Sequence, residues 1–339
     1  MVITQLFDAA TSTFTYLIFD EENKEAVIID PVLEQFERDV EQIEQGGLKL
    51  TYILETHVHA DHITGASLLR KKFDALILTG SQTKLKCADI LAEHRERYMF
   101  GSYSFEVRHT PGHTKGCVSY VFTNEEQTYV FTGDTLFIRG CGRTDFQGGS
   151  SDTLYASVHE QLYSLPSDTI VYPGHDYNGR FSTTIADEKK HNPRLNTDID
   201  KDGFVEIMNN LKLAYPKRID VSLPANRCCG DVPTQSHFTD VHVDNVANGN
   251  FIIIDVREPH ECSGTLGQIP GSINLPLGSL AISMRDHERE HKYLMVCRSG
   301  KRSVRACQLL SDLGFSNLYN LKGGMTAWNQ SQKTERPSC

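Results

Sequence analysis

The stretch ETHVHADHITG, Glu55 to Gly65, sets His57, His59, Asp61 and His62 directly behind the apolar run LTYILE. Any one of these side chains alone is most simply a surface or capping residue. Four at this spacing point to a shared cation, held where a strand gives way to a turn and the start of a helix. Three later segments bring the same residue types to similar places: His113 in HTPGHT, Asp134 in FTGDTL and His175 in YPGHDY. Each lies beside a glycine, which lets the backbone turn tightly and face a ligand into a cavity. In layered α/β proteins the strand ends carry the site and the strands supply rigidity, so the pattern predicts an α/β fold.

The runs FTYLIFD, EAVIID, LTYILET, ALILT, YSFEVRHT, CVSYVF, TYVFTGD and TIVYPGHD read as strands, and TGASLLRKKF as a helix. A chain of 339 residues is too long for one core at ~150 residues per domain. Between 216 and 238 the sequence collects three prolines and loses periodicity. The expected division is a first domain over 1–220, a linker over 221–236 and a second domain over 237–332. In the second, TDVHVDNVA reads as a helix, FIIIDV, GSINLPL, KYLMV and NLYNL as strands, and SVRACQLLSDLGF as a helix.

A net charge of −10 without a basic stripe argues against a nucleic-acid partner. Apolar runs such as FIII fall far short of the ~20 residues that span a bilayer, so no membrane partner is expected. The N-terminus has neither a signal-peptide charge nor the Arg-rich face of a transit peptide, which predicts a mature chain starting near Met1. Nine cysteines without regular spacing or a C-x-x-C pair predict no disulfide framework and a reducing, cytoplasmic setting. RCCG at 227–230 reads as plain linker. DIDKDGFVEIMN, from Asp198, opens like an EF-hand loop but has Asn209 where a bidentate Glu is needed, so it reads as an acidic helix start.

THVHADH with the later His, Asp and His resembles the metallo-β-lactamase fold, an αββα sandwich, over residues 1 to about 220. Among its members a two-zinc hydrolase similar to glyoxalase II is the main rival reading: paired zinc would make hydroxide for thioester hydrolysis. The narrower motifs LFIRGCGRTDFQGG, VYPGHDYNGR, HNPRL and LPANRCCG resemble the persulfide dioxygenases. That resemblance implies one mononuclear Fe(II) held by His57, His113 and Asp134, with His59, Asp61, His62 and His175 as outer groups that orient the ligands. Two imidazoles and one carboxylate leave positions open for a substrate and dioxygen together. The implied reaction turns a thiol persulfide, most often that of glutathione, into sulfite and free thiol. Arg143 is the candidate anchor for a carboxylate-bearing thiol, against an alternative in which it only pairs with Asp145. Cys141 and Tyr177 are expected near the same pocket.

YLMVCRSGKRSVRACQLL places Cys297 at a strand end, before a helix whose N-terminal amides favour a thiolate. Arg298, Ser299, Gly300, Lys301 and Arg302 complete the loop, and its cations add to that effect. Cys307, inside the helix, fits a core position better. This segment, with IIDVREPHE, IPGSINLPL and LKGGMTAW, resembles rhodanese, an α/β sulfurtransferase domain with a parallel sheet, over about 237–330. The spacing from Cys297 to Arg302 is C-x4-R, shorter than the C-x5-R phosphate cradle on the same fold, which favours sulfur. Gln268 stands where the family usually has His. Arg257 and Glu258 read as groups that knit the domain rather than serve the loop.

Together the two resemblances imply a bifunctional enzyme in which thiosulfate charges Cys297, a small thiol collects the sulfur, and the persulfide is oxidised at the iron. The expected partners are small molecules (persulfide, O₂, thiosulfate, glutathione or another thiol), with homo-oligomerisation open. Against this stand the glyoxalase II-like hydrolase carrying a rhodanese domain, and a binding protein with dead sites.

Overall fold

The computed structural model describes the chain apart from residues 125, 212, 214, 216, 217, 231–237, 247, 286 and 335–339. It divides into two units, Met1–Asp231 and Val232–Cys339. In the first, strands β1 to β6 are Val2–Asp8, Thr13–Phe19, Glu25–Ile29, Lys49–Glu55, Leu76–Gly80 and Ile90–Ala92, hydrogen-bonded in chain order. Strands β7 to β12 are Arg97–Phe100, Tyr103–His109, Val118–Thr123, Thr128–Gly133, Ile170–Pro173 and Thr183–Thr184, and they form a second sheet in the same manner.

Side chains alternate between the faces of a strand, and each face here has its own apolar partner. From β2 and β3, Phe14, Tyr16, Ile18, Val27 and Ile29 meet Phe105, Tyr120, Phe122 and Phe131 of the second sheet. The intervening Leu17, Ala26 and Ile28 face outward, to Val40 and Ile43 of α1 (Phe36–Gln45) and Leu69 of α2 (Ala66–Phe73). Beyond the second sheet, Val121, Val130 and Val171 pack on Leu154 of α3 (Ser151–Ala156), Ile185 of α4 (Ile185–His191) and Phe204 of α5 (Lys201–Asn209). The result is an αββα sandwich. Each large side chain so buried contributes roughly 1.5–3 kcal/mol, so the three apolar layers can support a polar site at their edge. The acidic stretch at 198 is the start of α5: Asp200 caps it, accepting from the Gly203 N–H at 2.9 Å.

The segment expected to be linker is structured well past 220. Residues Ile219–Asn226 form α6, and Cys229 is buried and bonded to Cys87 in a disulfide across 142 residues. This corrects the readings of RCCG as plain linker and of the cysteines as unpaired, because a pairing over that separation leaves no spacing signal in the chain. Residues 231–236 of the expected linker lie outside the described residues.

The second unit holds one sheet ordered β13, β17, β16, β14, β15, with every pair parallel. These strands are Phe238–Val241, Leu318–Leu321, Tyr293–Val296, Ile252–Asp255 and Ile273–Asn274 respectively. A parallel strand covered on both faces reads as unbroken apolar sequence, and all four residues of YLMV are buried. Helices α7 (Pro259–Cys262), α8 (Leu280–Ser283), α9 (Lys301–Asp312) and α10 (Gly324–Thr334) complete the unit. The stretch from 239, expected as a helix, begins as strand β13, because Phe238–Val241 finds a parallel partner in Leu318–Leu321. Arg257 is 1 % exposed and forks onto Asp255 at 2.6–3.1 Å while donating to the Gly267 carbonyl, which makes it a structural tie. Among the described residues no helix is long and apolar enough to cross a membrane.

Candidate metal centre and cysteine loop

β4, β8, β10 and β11 all end at one edge of the sandwich, and the turns that follow carry His57, His113, Asp134 and His175. His57, His113 and Asp134 each offer a ligand atom there, all within 4.8 Å of one another. The His113 Nε2 stands 3.6 Å from Asp134 Oδ2. At the end of β10, Gly133 has φ +48 and lies so close to Thr56 that a Cβ would stand 2.4 Å from its Oγ1, so no other residue fits this approach.

The hydrogen bonds of the rings decide which nitrogens remain for a cation. Thr56 donates its one hydroxyl proton to Asp30 Oδ2 at 2.7 Å, so it accepts from His57 Nδ1 at 2.9 Å. His113 Nδ1 donates to the Arg143 carbonyl at 2.7 Å. With Nδ1 engaged in each ring, Nε2 is the atom left to ligate beside Asp134, whose Oδ1 is buried without a hydrogen-bond partner. Burial and the neighbouring imidazoles of His59 and His113 hold His57 well below the ordinary histidine value, which keeps it neutral as a ligand must be. This donor set, two imidazoles with Nδ1 already engaged and a carboxylate with an orphaned oxygen, fits a divalent transition metal.

The remaining expected residues lie against this group. His59 places Nε2 between Asp30 Oδ1 at 3.1 Å and Glu55 Oε2 at 3.2 Å. Burial alone would lower His59, but the two carboxylates outweigh it and hold it well above the ordinary value. His62 Nδ1 donates to Asp61 Oδ2 at 2.9 Å and leaves a buried Nε2 unpartnered. His59, Asp61 and His62 make a second group whose ligand atoms also lie within 4.8 Å. His175 donates from Nδ1 to the Ser12 carbonyl and sets Nε2 3.5 Å from Asp134 Oδ1 and 3.6 Å from Asp61 Oδ2.

For Arg143 the structure contains the alternative reading: its guanidinium forks onto Asp145 at 2.6 and 2.7 Å and lies over the Phe146 ring. What reaches the ligand set is its backbone carbonyl. Cys141 is buried, its thiol 3.8 Å from the Met208 sulfur and 3.9 Å from an Arg194 guanidinium nitrogen, and burial pushes it up to about 11. Tyr177 is exposed and stacks on His175 at 6.0 Å. Sequence reasoning missed Asp30 and Thr56. Both carry a weak signal, as polar residues that close strand-like runs.

In the second unit Cys297 follows β16 and is 1 % exposed. The Gly300 N–H donates to its sulfur at 3.2 Å, and Ser303 Oγ lies 3.3 Å away. Ser303 gives its one hydroxyl proton to Asn320 Oδ1 at 2.6 Å, and Asn320 in turn donates to Asp240 at 2.8 Å. From the LKGGMTAW segment, the amides of Met325 and Thr326 donate to the Cys297 and Arg298 carbonyls at 2.8 and 3.0 Å, which pins the loop. Arg298, Ser299 and Lys301 are exposed, whereas Arg302 forks onto Glu261 at 2.6 and 2.7 Å and draws that carboxyl down to about 2. Cys307 is buried in the core, as expected.

The sequence matches the metallo-beta-lactamase superfamily over residues 9–175 and the rhodanese-like domain over 239–331. It is 46 % identical over 230 residues to the mitochondrial persulfide dioxygenase ETHE1 of Homo sapiens, covering 68 % of this chain and 89 % of that protein. The crystal structure of ETHE1 from Myxococcus xanthus is 47 % identical, with a TM-score of 0.65, over 68 % of this chain and 100 % of that one. Glyoxylase B2 of Dictyostelium discoideum is 30 % identical over 263 residues, covering 66 % of this chain and 89 % of that one.

Proposed function

Given that the chain belongs to the persulfide dioxygenase family of the metallo-beta-lactamase superfamily and carries a rhodanese-like domain, we propose that it oxidises a small-thiol persulfide and transfers sulfane sulfur. The first unit takes a persulfide, preferably of glutathione, with O₂ and water to sulfite and the free thiol: RSSH + O₂ + H₂O gives RSH + H₂SO₃. His57, His113 and Asp134 hold a single Fe(II), which when bound supplies the electron exchange that lets O₂ react with the terminal sulfur. Thr56 and the Arg143 carbonyl fix the two imidazoles with Nε2 inward. His59, Asp61, His62 and His175 orient and charge-balance the surround. In the second unit the Cys297 thiolate attacks the outer sulfur of thiosulfate. The S–S bond breaks, sulfite leaves with the electron pair, and the resulting Cys297 persulfide passes its sulfur to a thiol. The expectation of a cytoplasmic location rests on unpaired cysteines, and the Cys87–Cys229 disulfide removes that ground; the human relative is named mitochondrial.

The observation that carries the proposal is the convergence of three neutral-or-anionic donor groups within 4.8 Å in a chain 46 % identical to a persulfide dioxygenase. Its test is product stoichiometry with glutathione persulfide: one sulfite for each O₂ consumed supports it, and O₂-independent turnover contradicts it. A second reading has its own observation. The His59, Asp61 and His62 group, with His175 beside it, offers donors for a second ion, as a two-zinc glyoxalase II-like thioester hydrolase needs. The lower identity to the glyoxylase, 30 %, weighs against it.

Arg143 yields a prediction in either state of its side chain. If a substrate carboxylate displaces Asp145, Arg143→Ala raises the KM for glutathione persulfide about 10-fold or more, as loss of a charge-assisted pair does. A persulfide without carboxylates should be affected far less. Equal effects on both would assign Arg143 to loop structure alone.

A further inference from the structure

Asn226, the last residue of α6, is 3 % exposed and packs against the turn that bears the histidine cluster. Its amide nitrogen donates to the His59 carbonyl at 2.8 Å and the His62 carbonyl at 2.7 Å. Its oxygen accepts from the Thr64 N–H at 2.9 Å. Both donor hydrogens and the oxygen of one side chain are thus spent on three backbone groups of a single turn. That turn follows His57 directly and carries His59, Asp61 and His62, and buried backbone groups need partners of this kind to stay in place.

Asn226 is itself held by the residues that follow it. The Ser67 N–H donates to the Cys229 carbonyl at 3.1 Å. Gly230, at φ +71, passes so near the same turn that a Cβ would stand 2.1 Å from the Thr64 oxygen. The disulfide from Cys229 to Cys87 then fixes the segment to the chain beyond α2, and the Cys229 side chain is buried in the layer beneath α1 and α2.

We infer that Asn226 is a positioning residue for the metal centre and that the Cys87–Cys229 disulfide is the anchor that keeps it seated. The inference rests on the reading of His57, His113 and Asp134 as a metal centre. Asn226 touches no ligand side chain; it acts by restraining the backbone of residues 59–64, which follows His57. Loss of an outer partner bonded to a ligand costs about 10–100-fold in metal affinity, and a restraint acting through the backbone should fall toward the lower end of that range.

The test is Co(II) titration of the metal-free, full-length protein, read by its visible ligand-field spectrum and by competition with a chelator. Asn226→Ala should weaken Co(II) about 10-fold and alter the spectrum. Cys87→Ser, at a partly exposed position, should produce a smaller loss in the same direction. Affinity and spectrum unchanged in Asn226→Ala would overturn the inference. Should that variant not fold, unchanged Co(II) affinity in Cys87→Ser overturns the anchoring. Failure of the parent reading looks different: wild-type protein would take up no Co(II), or Asp134→Ala would take it up equally well.

Discussion

Asp134→Ala should abolish metal binding and oxygen uptake while leaving sulfur transfer at Cys297 intact. Asp134 is the only anion among the three grouped donors, and its two oxygens face different neighbours, Oδ2 toward His113 and Oδ1 toward His175. Alanine removes the charge that offsets a divalent ion and leaves only the two imidazoles. The loss should exceed the ~10–100-fold that follows removal of an outer partner, so the protein should purify without stoichiometric metal. The Cys297 loop draws its hydrogen bonds from Gly300, Met325 and Thr326, all in the second unit, so it should be untouched. Metal quantification, an oxygen electrode and a thiosulfate-to-thiol transfer assay on the same preparation check all three statements.

Cys297→Ser should do the reverse, lowering sulfur transfer on the order of 10³-fold or more, as loss of a covalent nucleophile does, with oxygen uptake from added persulfide unchanged. A serine hydroxyl cannot supply the anionic, polarisable sulfur that forms the enzyme persulfide. The substitution is nearly isosteric, and the Gly300 N–H and Ser303 hydroxyl can still meet the oxygen, so the fold should survive. Loss of both activities in both variants would refute independent sites. Sulfur transfer undiminished in Cys297→Ser would move the nucleophile elsewhere and restore the reading of the second unit as a binding module.

Much of the layered architecture was legible because strand alternation is local: Phe14, Tyr16 and Ile18 face one way and Leu17 the other. The grouping of His57, His113 and Asp134 could be anticipated from motif resemblance, since each follows a strand in a recognisable phrase. What could not be read were contacts made across long separations by residues of ordinary type. Asp30 supports Thr56 from 26 residues away, and Asn226 reaches back 167 residues to the His59 carbonyl. The Cys87–Cys229 bond spans 142 residues without a spacing signal. For Cys141 the motif gives a position but no direction, and its thiol lies against Met208 and Arg194. The helix expected from 239 failed for a related reason: strand pairing with Leu318–Leu321 is invisible locally and overrides the helical period.

The most direct measurement is metal content and oxygen consumption of anaerobically purified protein, reconstituted with Fe(II) and given glutathione persulfide. One iron per chain, with O₂ consumed and sulfite formed in equal amounts, is the predicted result. Two zinc ions per chain in a preparation that splits thioesters and consumes no oxygen would contradict the account at its centre.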